Sequence, residues 1–304
     1  MSLRMRRALS LLLMSATGAA AALVVAVLLS LLYTVVRSGL PALSWSFLTQ
    51  PPSEGMTSGG IFPALVGTAA VTLLMTVAVL PVGIVTAIYL HEYASPRSRI
   101  TAWARSAVDN LAAVPSIVFG LFGLGFFVQF LGGSLDHIFR NPGDGPHWGQ
   151  PGLLWASLTL AVLTLPVVIV ATEEALRSVP QEHRLASLAL GATQSQTLLR
   201  VVLPGALPGI LTGAVLAISR GAGEVAPILL TGAAYYLREL PHSLSSQFMH
   251  LGYHVYMLAT QAPDIEAARP TLYATASVLL GLTFSLNLVA VVIRSRTRRL
   301  GSGN

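Results

Sequence analysis

One apolar run ends in Ile218-Ser-Arg-Gly-Ala-Gly-Glu-Val225, which sets Arg220 and Glu224 four residues apart. In a helix that spacing places both side chains on one face, one turn apart. Arginine stays protonated and offers five donors in a planar fork that suits an oxyanion. A carboxylate one turn on is its counter-ion when no anion is present. Gly221 and Gly223 remove side-chain bulk beside the pair, and Pro227 weakens the helix just beyond. Physics alone leaves two readings: a contact on an anion path, or an ion pair that locks this segment against another helix. Other polar residues promise less. His250 and His254 have the i, i+4 spacing of helical metal ligands, but lack the glutamate of HExxH and a third ligand, so no metal is expected. Asp109 is expected to pair with Arg105 on the surface. Glu173 and Glu174 are expected to meet a partner or solvent, and Pro115 with Ser116 to shape a bend.

The elements that position the pair follow from composition. Charged residues make up 10% of the 304-residue chain and hydrophobic ones 54%, against about 25% charged in a water-soluble domain. With a mean hydropathy of +0.70, the chain lacks the polar surface to cover a globule and reads as an integral membrane protein. A bilayer core of roughly 30 Å needs about 20 apolar residues in a helix. Six stretches qualify: 8–36, 61–90, 111–133, 152–172, 207–234 and 271–293. Runs of this length satisfy their backbone as helices, so the expected fold is all-α, one transmembrane domain over 1–304. Arg220 then lies 13 residues into the fifth span, about 20 Å along it, where a charge costs roughly 2.5–3.5 kcal/mol on insertion scales.

All 18 basic residues are arginine, which excludes a P-loop ATPase, whose lysine reaches the phosphates. No cysteine is present, so disulfides and thiolate chemistry are excluded. Arginines 4, 6, 7, 97, 99, 105, 177, 184, 200, 294, 296, 298 and 299 fall on one side of the six spans, and only Arg37, Arg140, Arg238 and Arg269 on the other. That imbalance puts both termini in the cytoplasm and accounts for the +6 net charge without nucleic acid. The N-terminal run continues to Val36, beyond the 7–15 residues of a signal-peptide core, and is read as an uncleaved anchor.

The longest cytoplasmic connection, Glu173–Leu207, looks structured. Ser178 with Gln181 resembles a capping box, Gly191 sits where a glycine ends a helix, and Thr193 with Gln196 starts a second helix that Leu203-Pro204 is expected to stop. Its small-residue surface is expected to dock a partner or to lie on lipid headgroups.

LASLALGATQSQTLLRVVLP (185–204) resembles the EAA motif of ABC-importer permeases, EAA-x3-G-x9-I-x-L-P. Leu185, Ala186 and Ser187 occupy the EAA positions, and Gly191, Val201, Leu203 and Pro204 follow at the motif's spacing. DNLAAVPSIVFGLFGLGFFV, GGIFPALVGT, TAIYLHEYA and SRGAGEVAPILLTG are similar to segments of phosphate permeases of the PstA type, and the resemblance covers most of 59–293. It implies a type I ABC-importer permease in a bacterial inner membrane, coupled to an ATPase dimer through 173–206. It also implies a PstC-type permease partner, an extracytoplasmic phosphate-binding protein, and ATP and magnesium on the ATPase rather than on this chain. Arg220 and Glu224 become phosphate-path residues on this reading. Leu185 replaces the motif's glutamate, which removes one polar contact to the ATPase. Permeases for other oxyanions, such as phosphonate, molybdate and sulfate, and an ion-coupled secondary transporter are the alternatives.

Overall fold

The computed structural model describes residues 3–53, 58–95, 97–139 and 145–301. Helix α1 (Leu3–Gly39) leads through a 3₁₀ turn to α2 (Trp45–Thr49) and a two-stranded antiparallel ribbon. In it β1 (Pro52–Ser53) sets Pro52 opposite Gly59 of β2 (Ser58–Gly59). Next come α3 (Phe62–Ile88), prolonged by a π turn over Tyr89–Tyr93, then α4 (Arg99–Ala113) and α5 (Ser116–Phe122). A long π segment, Gly123–Gly132, joins α5 to α6 (Gly133–Phe139), and α7 (Leu153–Arg177) follows. The loop helices are α8 (Gln181–Ala189) and α9 (Gln194–Thr197). A π turn over Leu198–Val202 carries α9 into α10 (Leu203–Gly223). The chain ends with α11 (Ala226–Thr231), α12 (Leu251–Thr260) and α13 (Ile265–Gly301).

Among the described residues, six helical stretches are long and apolar enough to cross a bilayer: Ser10–Ala42, Phe62–Tyr93, Ser116–Phe139, Leu153–Arg177, Gln194–Gly223 and Ile265–Val292. They agree with the six expected spans in number and order, and their bounds differ most at the third and the fifth. The third starts at Ser116 rather than Leu111, because Val114 turns extended (φ −71°, ψ 132°) ahead of Pro115, as the residue before a proline favours. The fifth does not run to Ala234. It breaks at Glu224 (φ −78°, ψ 133°), and Pro227 sits in the first turn of α11.

Leu203-Pro204 also does not stop the second loop helix. Pro204 falls in the first turn of α10, where its missing N–H leaves no bond unmade, and the preceding π turn carries the backbone on through Leu203 N–H to Leu198 O. One rod therefore runs from the loop, at Gln194, to the Arg220 end of α10.

The interior is built on α3, α7 and α10. Lipid tails are as apolar as leucine, so spans associate through close contact, and small residues let backbones approach. On α10, Gly209 and Gly213 face Ala175 and Ala171 of α7, and Gly221 lies against Met75 of α3. Gly83 of α3 meets Val168 of α7. Val71, Met75, Leu160, Val168, Ala217 and Phe248 close this core. Helix α1 joins the rest near its C-terminal end, where the Ser277 hydroxyl of α13 donates to Val35 O.

At the N-terminus of α7, Gly152, Leu153 and Leu154 donate their amides to the carbonyls of Thr231, Ser246 and Leu244. These carbonyls of the 231–246 segment serve donors that a helix start otherwise leaves unpaired. Nearby, buried Asp136 accepts the amides of His147, Trp148 and Gly149, and Trp155 Nε1 donates to Trp148 O.

A Cβ at position 213 would run into the Ala171 Cβ, whereas one at Gly133 would meet open space. Gly213→Ala is therefore expected to destabilise by about 1–3 kcal/mol, and Gly133→Ala to be neutral or to stabilise by up to ~1 kcal/mol. Unfolding of the detergent-solubilised variants checks the pair.

Candidate functional site

Arg220 occupies the last turn of α10, where the helix dipole favours a cation. Its Nε lies 3.3 Å from Glu224 Oε1. The expected pairing is present, but Glu224 is not on the next turn of the same helix. It is the extended residue at the break, so the ion pair spans the helix end. The stripe Gly213–Ala217–Gly221 points into the core, while Leu216, Arg220 and Gly223 share an exposed stripe. The Arg220 side chain is 49% exposed and that of Glu224 20%. A cation exposed on a span requires protein or water opposite it, since lipid is costly. Beside this face, α3, α10 and α13 enclose a groove of about 580 Å³, lined by Leu65, Thr72, Thr76, Ile218, Ala222 and Leu286 among others. The Thr72 hydroxyl oxygen is buried there with no partner among the described residues.

The second site is the loop around α8. Pro180, not Ser178, is its N-cap, so the first expected capping box is absent; the Ser178 hydroxyl instead donates back to Ala175 O. The other end is as the sequence implies. Gly191 has φ +85°, Ala192 N–H reaches Ser187 O, and Gly191 N–H reaches Leu188 O, which is a Schellman ending. Thr193 and Gln196 then form a reciprocal capping box. Leu185, Ala186, Leu188 and Leu190 are exposed, Leu190 by 90%. Ser187 bonds to Thr197 between hydroxyls. Val201 and Leu203 are half-buried, and Pro204 is exposed.

What ties this loop to the bundle was not anticipated from sequence. Arg184 of α8 donates to Glu92 Oε1 at 2.6 Å and to Leu176 O at 2.8 Å. Gln194 donates to the Glu92 carbonyl at 3.2 Å, and His91 Nδ1 lies 2.9 Å from the same Glu92 oxygen. Arg105 turns away from Asp109. It bonds Glu173 Oε2 at 3.1 Å and Leu90 O at 2.8 Å, with Arg177 3.9 Å from that carboxylate. The expected Arg105–Asp109 pair is thus replaced, because α4 turns Arg105 toward α7 while Asp109 stays exposed. Glu173 is a sheltered ion-pair partner rather than a solvated group; Glu174 is exposed. Chain separations of 68 and 92 residues hide these pairs from sequence spacing, although LHEY, which contains Glu92, stood out by resemblance.

The family model for the binding-protein-dependent transport system inner membrane component matches residues 79–299. The chain belongs to this family. It is 32% identical over 263 residues to the probable ABC transporter permease protein YqgI of Bacillus subtilis (strain 168), covering 82% of this chain and 84% of that one. It is 34% identical over 275 residues to the phosphate transport system permease protein PstA 1 of Mycobacterium tuberculosis (strain ATCC 25618 / H37Rv), covering 88% and 80%. Among solved structures, a bacterial alginate ABC transporter in complex with its pentasaccharide-bound periplasmic protein aligns with TM-score 0.62 at 16% identity, over 99% of this chain and 97% of that one. The MetNI methionine ABC transporter in an inward-facing conformation aligns with TM-score 0.58 at 19% identity, over 80% and 98%. At such identities the structures speak for the fold alone, a mostly helical bundle; the family and the relatives make the chain an ABC-importer permease.

The permease's two central histidines belong to neither site. His250 caps α12, accepting the Gly252 amide on Nδ1 at 3.1 Å. His254 lies one turn on, and neither of its ring nitrogens has a partner among the described residues. Those residues contain no cluster of three or more His, Cys, Asp or Glu side chains placed to hold a metal. Helix α12 lies outside the six spans, and burial lowers the His250 pKa to about 3 and that of His254 to about 4. Both are therefore held neutral in the fold, while the unfolded chain protonates near 6.5. Stability is complete above about pH 6.5 and falls as the pH drops from there toward 4 and 3. Thermal unfolding between pH 8 and pH 4 is expected to show that decline. His254→Leu, which removes a titrating ring without orphaning a partner, is expected to make it shallower.

Proposed function

We propose that this permease is a membrane-spanning subunit of an ATP-driven phosphate importer and that Arg220 lies on the phosphate path. The observation that carries the proposal is Arg220 itself: a permanent cation on an exposed stripe of a span, at a helix break, in a chain 34% identical to a phosphate permease over 275 residues. Its planar fork suits phosphate oxygens. Glu224 neutralises it between substrates and accepts a hydrogen bond from a protonated phosphate, which fully deprotonated sulfate lacks. The arginine distribution supports cytoplasmic termini, which places the α8–α9 loop inside the cell.

On this reading Leu185, Ala186, Ser187 and Gly191 present the surface that an ATPase dimer grips, with Val201, Leu203 and Pro204 forming the root of the rod. The ATPase carries the ATP, magnesium and hydrolysis; this chain catalyses no covalent step. A similar PstC-type permease faces the exposed stripe of α10, and a phosphate-binding protein delivers substrate from outside. Competition of uptake by phosphonate, molybdate or sulfate separates this reading from a permease for another oxyanion. Uptake by the isolated chain in liposomes without ATP would establish a secondary transporter instead.

Arg220→Ala is expected to lower phosphate uptake about tenfold or more, the scale of one lost charge-assisted hydrogen bond, in protein inserted at the wild-type level. Leu216→Ala on the same stripe is expected to change uptake little. The exchange Arg220→Glu with Glu224→Arg tests the alternative. Restored uptake would mean a structural ion pair; the path reading requires the exchange to stay inactive.

A further inference from the structure

We infer that the ion pair between Arg184 of α8 and Glu92 of the Tyr89–Tyr93 π turn is the joint that passes movement of the loop to the second span. The inference rests on the reading of the loop as an ATPase dock and assigns Glu92 and Arg184 as positioning residues within it.

Helix α8 buries none of its residues, so apolar packing does not hold it to the bundle. The contacts that do are polar, and two of them converge on Glu92. Arg184 uses one arm of its fork on Glu92 Oε1 and the other on Leu176 O, near the end of α7. Across the Gly191 turn, Gln194 holds the Glu92 carbonyl. Both halves of the loop thus grip the same residue. The Arg184 side chain is 19% exposed and that of Glu92 11%, which shelters the pair from the screening that weakens surface ion pairs. A charge-assisted bond of 2.6 Å in that setting is among the stronger single contacts a side chain makes.

The π turn is also the right place for a joint. π segments inside helices occur frequently at functional sites, and this one gathers further partners: Leu90 O accepts Arg105, whose other nitrogen holds Glu173 of α7. From the turn, α3 runs without interruption back to Phe62. Its Met75 lies against Gly221 of α10, beside Arg220. The loop is therefore attached to the core of the permease covalently at both ends, to α7 through residues 178–180 and to α10 through the rod, and ionically through Glu92 to α3. Helices α3 and α10 meet next to the Arg220–Glu224 pair. Displacing α8 pulls on all three helices, and without the ionic attachment α3 loses its direct link to the loop.

The test uses the permease assembled with its ATPase and binding protein in liposomes, reading phosphate transported per ATP hydrolysed. Glu92→Gln and Arg184→Glu are each expected to retain co-purified ATPase while that ratio falls roughly tenfold, within the usual range for coupling between sites. The exchange Glu92→Arg with Arg184→Glu is expected to recover most of it. Wild-type ratios in the single variants would overturn the joint and leave the importer reading standing. An exchange that restores folded yield but not the ratio would also overturn it, since the pair would then act in folding only. A wild-type chain that brings down no ATPase would overturn the loop reading and the joint with it.

Discussion

Close backbone approach between α3, α7 and α10 is the contact on which the rest of the permease depends. In hydrocarbon, hiding leucine from lipid yields little, and cohesion comes from dispersion between surfaces that fit. Gly209, Gly213, Ala217 and Gly221 give α10 a side-chain-poor face at four-residue spacing, and Ala171, Ala175 and Met75 fill it. That fit decides which way α10 turns. With the small residues inward, Arg220 must lie outward with Leu216 and Gly223. The exposure of Arg220 thus follows from where the glycines are.

The same bundle holds irregular backbone where opened hydrogen-bonding groups are met from within. The stretch between α11 and α12 sits against α7, whose first amides take carbonyls from Thr231, Leu244 and Ser246. Thr68 of α3 accepts the Leu251 amide near the start of α12. Exposed to lipid, such backbone would not persist; lodged in protein, it lets the fifth span end at a charged pair.

At the other end the cohesion is of a different kind. The α8 helix shows its leucines outward and is fastened by Arg184, Gln194 and Ser187. Polar fastening leaves its apolar residues free for a partner and lets the loop shift with small adjustments of a few hydrogen bonds. Helix packing in the core offers no such freedom, because closely fitted surfaces resist sliding.

Much of this was legible in the residues. Run length establishes six helical spans, since backbone satisfaction in lipid allows little else. Gly191 and the Thr193–Gln196 box were readable because turn and cap chemistry is local: a positive φ asks for glycine, and a capping box closes within three residues. The Arg220–Glu224 spacing likewise announced a pair. Spacing alone misled where helices end. Pro204 looked like a stop until a π turn absorbed it, and the run to Ala234 looked continuous although Glu224 breaks it. Ser178 looked like a cap because capping chemistry does not reveal which competing acceptor a hydroxyl will find. The partners of Glu92, Arg184, Arg105 and Glu173 were decided only by the tertiary structure. Ionic attraction acts through space, and segments far apart in sequence become neighbours only when α3, α4, α7 and α8 have packed.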